Sequence, residues 1–176
     1  MISLIAAVGR EGELGFNGDL IWRLPEDLKR FREVTSGHTV LMGHKTFSSL
    51  PALLPSRKHV VLTRDAKALE QEAAKKAFRS SDAERPEVIA ISSLFDFLDK
   101  YKGTAEELFV IGGGSIYKQA ISMADKIYLT EIEADFPEAD VYFPEFNKEH
   151  FRKEVVAKGR DEKYGLNYSF VVYTRK

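Results

Sequence analysis

The feature of this chain that most restricts its fold is the alternation of short apolar segments with segments of helical pattern. The apolar segments are rich in β-branched residues, and most are continuous, as in strands that helices cover on both faces. We predict strands at residues 2–8, 39–42, 58–63, 88–92, 108–111 and 126–133. Helices are predicted between them at residues 25–34, 45–49, 66–78, 94–101 and 114–123. This order predicts an α/β fold with a mostly parallel sheet.

The C-terminal part departs from this alternation. Strands are predicted at residues 153–156 and 168–173 with no helix between them, so we expect an antiparallel edge hairpin that turns around Gly165 and Asn167. After the predicted helix at residues 66–78 we expect a loop with Ser80, Ser81 and Pro86. The sequence shows no repeat and no linker composition, and residues 1–176 are therefore predicted to form a single domain.

Composition excludes several classes of function. The 176 residues carry a net charge of −1, so no overall positive field would hold nucleic acid or an anionic membrane. Cysteine is absent, which excludes disulfides, thiol nucleophiles and thiolate metal ligands. The four histidines lack the spacing of a metal site, and no apolar stretch approaches the ~18 residues of a membrane helix. Residues 1–8 lack the basic start of a signal peptide and are expected to form a buried strand.

Residues 9–25 contain four glycines at three-residue intervals, at positions 9, 12, 15 and 18. Glycine is favoured wherever the backbone needs a positive φ, so the segment could form a series of tight turns. The same glycines could also be hinges of a mobile lid that closes over a ligand. The spacing alone leaves both interpretations open.

Asp27 is the most suggestive acidic residue in the chain. It lies in the first turn of a predicted helix, where the helix dipole favours a carboxylate for purely structural reasons. It also shares a helix face with Phe31, and the neighbouring Leu24 and Leu28 mark that face as apolar. Apolar surroundings raise the pKa of a carboxylate, which could then bind a protonated or amidine-like ring.

Residues 111–115, Ile-Gly-Gly-Gly-Ser, follow an apolar strand and begin a predicted helix. Glycines in such a turn let backbone N–H groups approach a phosphate. The motif is neither the Rossmann fingerprint, because Tyr117 occupies the position of its third glycine, nor a Walker loop. It indicates a phosphate without specifying the cofactor.

Two predicted strands end in basic residues. His44 and Lys45 follow one strand, and Thr63 and Arg64 follow another. Ligands of open α/β sheets bind at the carboxyl ends of strands, so these residues could receive a dinucleotide with an extra phosphate. Arg57, before a strand, could hold a carboxylate with its planar guanidinium. Lys45, Arg64 and Arg57 could each instead be an ordinary surface charge.

Taken together, these segments resemble the dihydrofolate reductase family. The resemblance covers nearly the whole chain except about residues 65–92, and the pairing of W-x-L-P-x-D-L with a later V-I-G-G-G is highly specific. It implies an eight-stranded, mostly parallel sheet with flanking helices and the NADPH-dependent reduction of 7,8-dihydrofolate to tetrahydrofolate in one-carbon metabolism. It also implies a cytoplasmic monomer that antifolates inhibit. The matching stretches are ISLIAAVG, LGFNGDLIWRLPEDLKRF, TVLMGHKTF, LPSRKHVVLTR, FVIGGGSIY, IYLTEIEADFPEADVYFP and YSFVVYTR.

The resemblance also implies roles for individual residues. Asp27 would bind the amino-pyrimidine edge of the pterin and favour protonation at N5, Thr130 would support Asp27, and Trp22 would hold an ordered water near the carboxylate. Arg57 would bind the α-carboxylate of the glutamate tail. The pterin and aminobenzoyl pocket would be lined by Ile5, Ala6, Ala7, Leu28, Phe31, Leu50, Leu54 and Ile111.

The cofactor would extend over the same edge of the sheet. Its 2′-phosphate would contact His44, Lys45, Thr63 and Arg64, beside Gly43. The nicotinamide side would contact Ala7, Leu14, Leu20 and Thr46. The diphosphate would lie on Gly112, Gly113, Gly114, Ser115, Ile116 and Tyr117, with a cis bond between the first two glycines.

Three positions depart from the family pattern. Ile21 stands where proline is usual, so the lid is expected to be less rigid, and Leu20 replaces a common methionine. His44 stands where arginine is usual, and a neutral histidine would bind a phosphate weakly at pH 7. We hypothesise that Arg64 compensates.

Two other functions stay open from the sequence. A pyrimidine reductase of the riboflavin pathway has the same fold and the late glycine turn, but lacks the segment that contains Trp22 and Asp27. A non-catalytic dinucleotide or folate binder would be expected to lose the acidic residue, and Asp27 is present.

Overall fold

The computed structural model of this protein describes residues 1–78 and 85–176. The strands are β1 (Ile2–Val8), β2 (Glu13–Phe16), β3 (Asp19–Leu20), β4 (Thr39–Gly43), β5 (Lys58–Leu62), β6 (Val88–Ile91), β7 (Leu108–Gly112), β8 (Lys126–Ile132), β9 (Val141–Tyr142), β10 (Phe151–Asp161) and β11 (Leu166–Arg175). The helices are α1 (Pro25–Thr35), α2 (His44–Ser49), α3 (Ala66–Phe78), α4 (Leu94–Asp99) and α5 (Gly114–Ala120), with 3-10 turns at Ile121–Met123 and Lys148–His150.

Eight strands form the central sheet in the order β10-β11-β8-β1-β7-β4-β5-β6. The pairs from β8 through β1, β7, β4 and β5 to β6 are parallel. Strand β11 pairs antiparallel with β8, and β10 pairs antiparallel with β11 at the edge. The predicted mostly parallel eight-stranded sheet with an antiparallel C-terminal hairpin is therefore confirmed.

The hairpin strands are longer than predicted. Strand β10 extends to Asp161 and β11 begins at Leu166, around the expected turn at Gly165, whereas Asn167, also expected in the turn, lies in β11 and pairs with Arg160. Most side chains of β10 are exposed, because it is the edge strand. An exposed strand carries little of the apolar pattern from which its length could be predicted.

The helices agree closely with the sequence pattern, and α3 has the predicted bounds. Helix α4 is capped by Ser93, whose side chain accepts a hydrogen bond from the backbone N–H of Asp96, which is one half of a capping box. Helix α5 is shorter than predicted, because its last turn tightens into the 3-10 turn that follows. Of the predicted loop after α3, Ser80 and Ser81 lie outside the described residues.

A second, three-stranded sheet of order β3-β2-β9 was not predicted. Its strands β2, β3 and β9 have four, two and two residues, which is too few for a period of two to be visible in the sequence. Two of the glycines of this segment, Gly12 and Gly18, have φ values of 84° and 79°, as expected for tight turns. The glycine-rich segment thus folds as a small hairpin that the chain near Val141 holds in place.

The central sheet separates two apolar clusters. Consecutive residues of β4 alternate between them, with Val40 and Met42 in one and Leu41 in the other. The first cluster includes Phe47 of α2 and Leu69 of α3, and the second includes Leu98 of α4 and Ile116 of α5. Among the described residues, no helix is long and apolar enough to cross a membrane.

Candidate active site

The candidate site lies at the carboxyl edge of the parallel strands. There β4 continues directly into α2, β7 leads into α5 across a glycine turn, and β1 leads into the small sheet. In open parallel sheets ligands bind at this edge, because the loops that follow the strands converge there.

Asp27 and Thr130 form the polar centre of the site. Asp27 lies in the first turn of α1, which begins with Pro25, and Thr130 is a buried residue of β8. The Thr130 hydroxyl donates a hydrogen bond of 2.5 Å to Asp27 Oδ1. Burial raises the pKa of Asp27, while the Thr130 hydrogen bond and the positive charge of Arg30 lower the pKa. The net direction is upward, so this carboxyl group takes up a proton more readily than an exposed aspartate.

Arg30 was not predicted from the sequence. Its guanidinium lies 4.6 Å from the centre of the Phe170 ring and donates to the carbonyl oxygen of Leu129 over 3.1 Å. This places a partly buried positive charge one helical turn from Asp27. The spacing of three residues between two opposite charges was the available signal.

Trp22 is buried beside the site and makes a contact that was not predicted. Its indole N–H donates to the backbone carbonyl of Glu13 over 2.8 Å, and its ring meets Phe136 edge to face. The indole has a single donor, and that donor is already satisfied by the backbone. The expected role of Trp22 toward a water near Asp27 therefore stays a prediction that requires this bond to open.

The small sheet is fastened to the rest of the molecule through two carboxylates that were not predicted from the sequence. Glu13 is buried, and its side chain accepts hydrogen bonds from the backbone N–H groups of Phe136 and Glu11. Asp140 Oδ2 accepts from the N–H of Asn17 over 2.9 Å. These bonds hold the glycine-rich segment closed against the loop before β9.

The predicted apolar pocket is only partly assembled as expected. Leu28 is 50% exposed on α1, and Ala6 packs against the cluster on the opposite face of the sheet, because neighbouring strand residues alternate. Ala7 packs beside Trp22 instead. The predicted lining residues that the structure does bring into one cluster are Ile5, Phe31, Leu50, Leu54 and Ile111.

Arg57 lies next to this apolar cluster and is only 5% exposed. Its guanidinium donates to the Pro55 carbonyl over 2.8 Å and to the Thr35 hydroxyl over 3.2 Å, and it lies 5.8 Å from the Phe31 ring. Within residues 1–78 and 85–176, no acidic side chain pairs with it. A buried positive charge without a counter-charge is unfavourable, so this position is suited to receive an anionic group of a ligand.

The glycine turn has the predicted cis bond between Gly112 and Gly113. A side chain at Gly114 would lie 2.6 Å from Val141, and one at Gly113 would lie 3.3 Å from the Thr46 hydroxyl. The Tyr117 hydroxyl donates to the carbonyl of Ile5 over 2.6 Å, which ties the turn to β1. The turn therefore needs glycine for close approach, and Ser115 and Ile116 lie in the first turn of α5, which begins at Gly114.

The basic strand ends also meet, since β4 and β5 are neighbours. One ring nitrogen of His44 lies 2.7 Å from the Thr63 hydroxyl, and the other lies 2.9 Å from Glu72 Oε1. Lys45 and Arg64 are exposed, and in the part of the chain that the structure describes neither pairs with an acidic side chain.

The two predicted nicotinamide contacts from the small sheet differ in exposure. Leu14 of β2 is buried in the cluster that includes Ile116 and Tyr117, whereas Leu20 of β3 is 59% exposed. For metals, no group of three or more His, Asp or Glu side chains in the described ranges could hold an ion.

A family model described as dihydrofolate reductase matches residues 1–175. The chain belongs to the dihydrofolate reductase family. It is 38% identical over 177 residues to the dihydrofolate reductase of Bacillus subtilis, covering 100% of this chain and 95% of the relative. The dihydrofolate reductase of Mycobacterium tuberculosis is 37% identical over 180 residues, covering 99% and 98%. A solved dihydrofolate reductase from Enterococcus faecalis, complexed with NADP(H), has a TM-score of 0.77 and 29% identity, covering 100% of this chain and 96% of that one.

Dihydrofolate reductases use NADPH, and the residues at this edge of the sheet fit that cofactor. The glycine turn leaves space that side chains would fill, since a Cβ added at Gly113 would lie 3.3 Å from the Thr46 hydroxyl. At Gly43 an added Cβ would lie 3.3 Å from Ile116. The exposed Lys45 and Arg64 would supply positive charge for phosphate groups of the cofactor.

Proposed function

We propose that this protein transfers a hydride from NADPH to C6 of 7,8-dihydrofolate and a proton to N5, which yields tetrahydrofolate for one-carbon metabolism. The observation that carries the proposal is the Asp27–Thr130 pair, a partly buried carboxyl group that accepts a hydrogen bond from a buried hydroxyl of the central sheet, in a chain of this family. Bound NADPH supplies the hydride, and the protein supplies orientation and electrostatics.

Asp27 would bind the amino-pyrimidine edge of the pterin. A carboxylate can accept two parallel hydrogen bonds from such an edge, and Thr130 fixes the orientation of the carboxylate by donating to Oδ1. The negative charge of Asp27 then favours protonation of N5, the only proton that the reaction needs. Trp22 would hold a water near Asp27 once the hydrogen bond from its indole N–H to the Glu13 carbonyl has opened.

Arg57 would bind the α-carboxylate of the glutamate tail. Two of its donors are occupied by Pro55 and Thr35, which orient the guanidinium, and its remaining donors can pair with a carboxylate. The apolar cluster with Phe31 and Leu54 would cover the aminobenzoyl ring between the two anchoring groups.

The small sheet would act as a lid over the reacting rings. The hydrogen bonds that Glu13 accepts from the N–H of Phe136 and Asp140 accepts from the N–H of Asn17 hold it against the loop before β9, and closure would exclude water from the hydride transfer. Ala7, Leu14, Leu20 and Thr46 are proposed to contact the nicotinamide side, and Gly112–Tyr117 the diphosphate. His44, Lys45, Thr63 and Arg64 are proposed to receive the 2′-phosphate.

The protein is proposed to act as a single-domain monomer in the cytoplasm. The net charge of −1 and the absence of cysteine agree with this proposal without testing it. Sedimentation should give a mass close to the 19.9 kDa of one chain, and a mass near twice that value would contradict the monomer.

The test of the activity is the loss of NADPH absorbance on addition of dihydrofolate, with NADH and an antifolate inhibitor run in parallel. We expect rapid oxidation of NADPH that the antifolate abolishes. Absence of oxidation by a folded protein that binds NADPH would contradict the proposal and leave the pyrimidine reductase or a non-catalytic binder.

A further inference from the structure

Glu72 places a negative charge among the basic strand ends. It lies on α3, within the part of the chain that the matching family stretches do not cover. Its Oε1 lies 2.9 Å from His44 Nε2, and its Oε2 accepts a hydrogen bond of 2.7 Å from the Ser48 hydroxyl. Both carboxylate oxygens are therefore held, and the group points at the residues proposed to receive the 2′-phosphate.

The contact leaves His44 with no nitrogen for a phosphate. Its Nδ1 is engaged by Thr63 and its Nε2 by Glu72. An imidazole has only these two polar atoms, so a phosphate could contact His44 only after one bond opens. The hydrogen bond from Ser48 lowers the pKa of Glu72, which keeps the carboxylate charged near neutral pH.

A carboxylate at this place interacts differently with NADPH and with NADH. The 2′-phosphate of NADPH is an anion, and like charges at close range repel. The 2′-hydroxyl of NADH is a hydrogen-bond donor, and an acidic residue that accepts from this hydroxyl is the device by which dinucleotide-binding folds select NADH.

We propose that Glu72 is a specificity-determining residue that weakens the preference of this enzyme for NADPH over NADH through its charge beside His44. The proposal rests on the proposed function, in which His44, Lys45, Thr63 and Arg64 surround the 2′-phosphate. Lys45 and Arg64 supply the opposing attraction, and the positive charge of Lys76 also acts on Glu72 and lowers its pKa. Without the negative charge of Glu72, the same cations would act on the phosphate unopposed.

The test compares Glu72→Gln with Glu70→Gln. Glutamine keeps the size of Glu72 and its acceptor for Ser48, and the control removes the same charge from an exposed position two residues earlier on α3. Dissociation constants for NADPH, NADH, 2′,5′-ADP and 5′-AMP are measured by calorimetry at low ionic strength, without folate. In Glu72→Gln we expect the preference for NADPH over NADH, and for 2′,5′-ADP over 5′-AMP, to rise about tenfold.

In Glu70→Gln both preferences should stay as in the unmodified protein. Unchanged preferences in Glu72→Gln would overturn the proposal. A fall in them would also overturn it, since Glu72 would then orient His44 toward the phosphate. Turnover of NADPH with dihydrofolate is assayed in parallel. A tenfold change in the preferences without any turnover would contradict the proposed function and support the role of Glu72. Turnover with unchanged preferences would support the proposed function and contradict the role of Glu72.

Discussion

Thr130 on β8 donates a 2.5 Å hydrogen bond to Asp27 on α1, and this bond joins the centre of the main sheet to the helix that carries the acid. The two residues are 103 positions apart in sequence. Because Thr130 is only 2% exposed and its strand is paired on both sides, the hydroxyl has a fixed position. The orientation of Asp27 is thereby set by the sheet instead of by its own flexible side chain.

Thr130→Val should raise the pKa of Asp27 further, because the hydroxyl stabilises the ionised carboxylate and valine cannot. We expect kcat/KM for dihydrofolate to fall about tenfold through the loss of a charge-assisted hydrogen bond. Nuclear magnetic resonance titration of the Asp27 carboxyl carbon measures the shift directly. Thr174→Val, on β11, is the control. An Asp27 pKa that stays unchanged or moves down would refute this account of the pair.

Arg57→Gln should weaken binding of dihydrofolate about 100-fold, because the tail carboxylate would lose its charged partner in a buried place. A pterin without a glutamate tail should bind the variant and the unmodified protein equally well. Equilibrium fluorescence titration with both ligands provides the comparison, and Arg152→Gln on the edge strand serves as the control. Equal weakening for both ligands would show that Arg57 supports the fold of the pocket and not the tail.

Asp140→Ala should loosen the lid, since it removes the acceptor that holds the backbone N–H of Asn17. We expect slower hydride transfer, by about tenfold, with little change in the free energy of unfolding, because Asp140 is exposed. Single-turnover kinetics and thermal unfolding separate the two quantities. The matched variant is Glu138→Ala, at an exposed acid of the same loop. A normal hydride-transfer rate in Asp140→Ala would contradict a role for this bond in closure.

His59 should make the protein less stable in mild acid. Its imidazole is fully buried, and burial lowers its pKa from 6.5 to about 4, so the folded protein holds it neutral while it accepts from the N–H of Leu54. Between pH 6.5 and about pH 4, His59 therefore binds a proton in the unfolded chain but not in the folded protein. Stability is therefore complete above pH 6.5 and falls by about 3 kcal/mol as the pH approaches 4.

Urea unfolding between about pH 4 and 7 measures this slope. His59→Gln should reduce the slope, and His150→Gln, at an exposed histidine, should leave it unchanged. Equal slopes in all three proteins would show that other groups cause the loss of stability in acid.

The parts of the site that the sequence predicted are those with local signals. Asp27 stands in a helical turn with an apolar face, and the glycines of residues 112–114 stand between a strand and a helix, so residue type and spacing were informative. The central sheet followed from its apolar runs for the same reason. Because both faces of these strands are buried, each strand is a continuous apolar run that can be recognised in the sequence.

Apart from Arg30, whose spacing from Asp27 was a local signal, the missed features depend on contacts between distant segments. The small sheet has strands of two to four residues, and Asp140 reaches Asn17 across 123 positions, so no local pattern marks either. The hypothesis that Arg64 compensates for His44 considered the charge of the histidine alone. The structure adds Glu72 from α3, which meets both His44 and Ser48 of α2.

The most direct test of the central claim is the pH dependence of turnover in Asp27→Asn, assayed with NADPH and dihydrofolate. The amide cannot favour a proton at N5, and it keeps the shape of the site and an acceptor for Thr130. We predict a loss of at least about 100-fold near pH 7 and partial recovery at lower pH, where the substrate is already protonated. Unchanged activity near pH 7 would contradict the role of Asp27 on which the account depends.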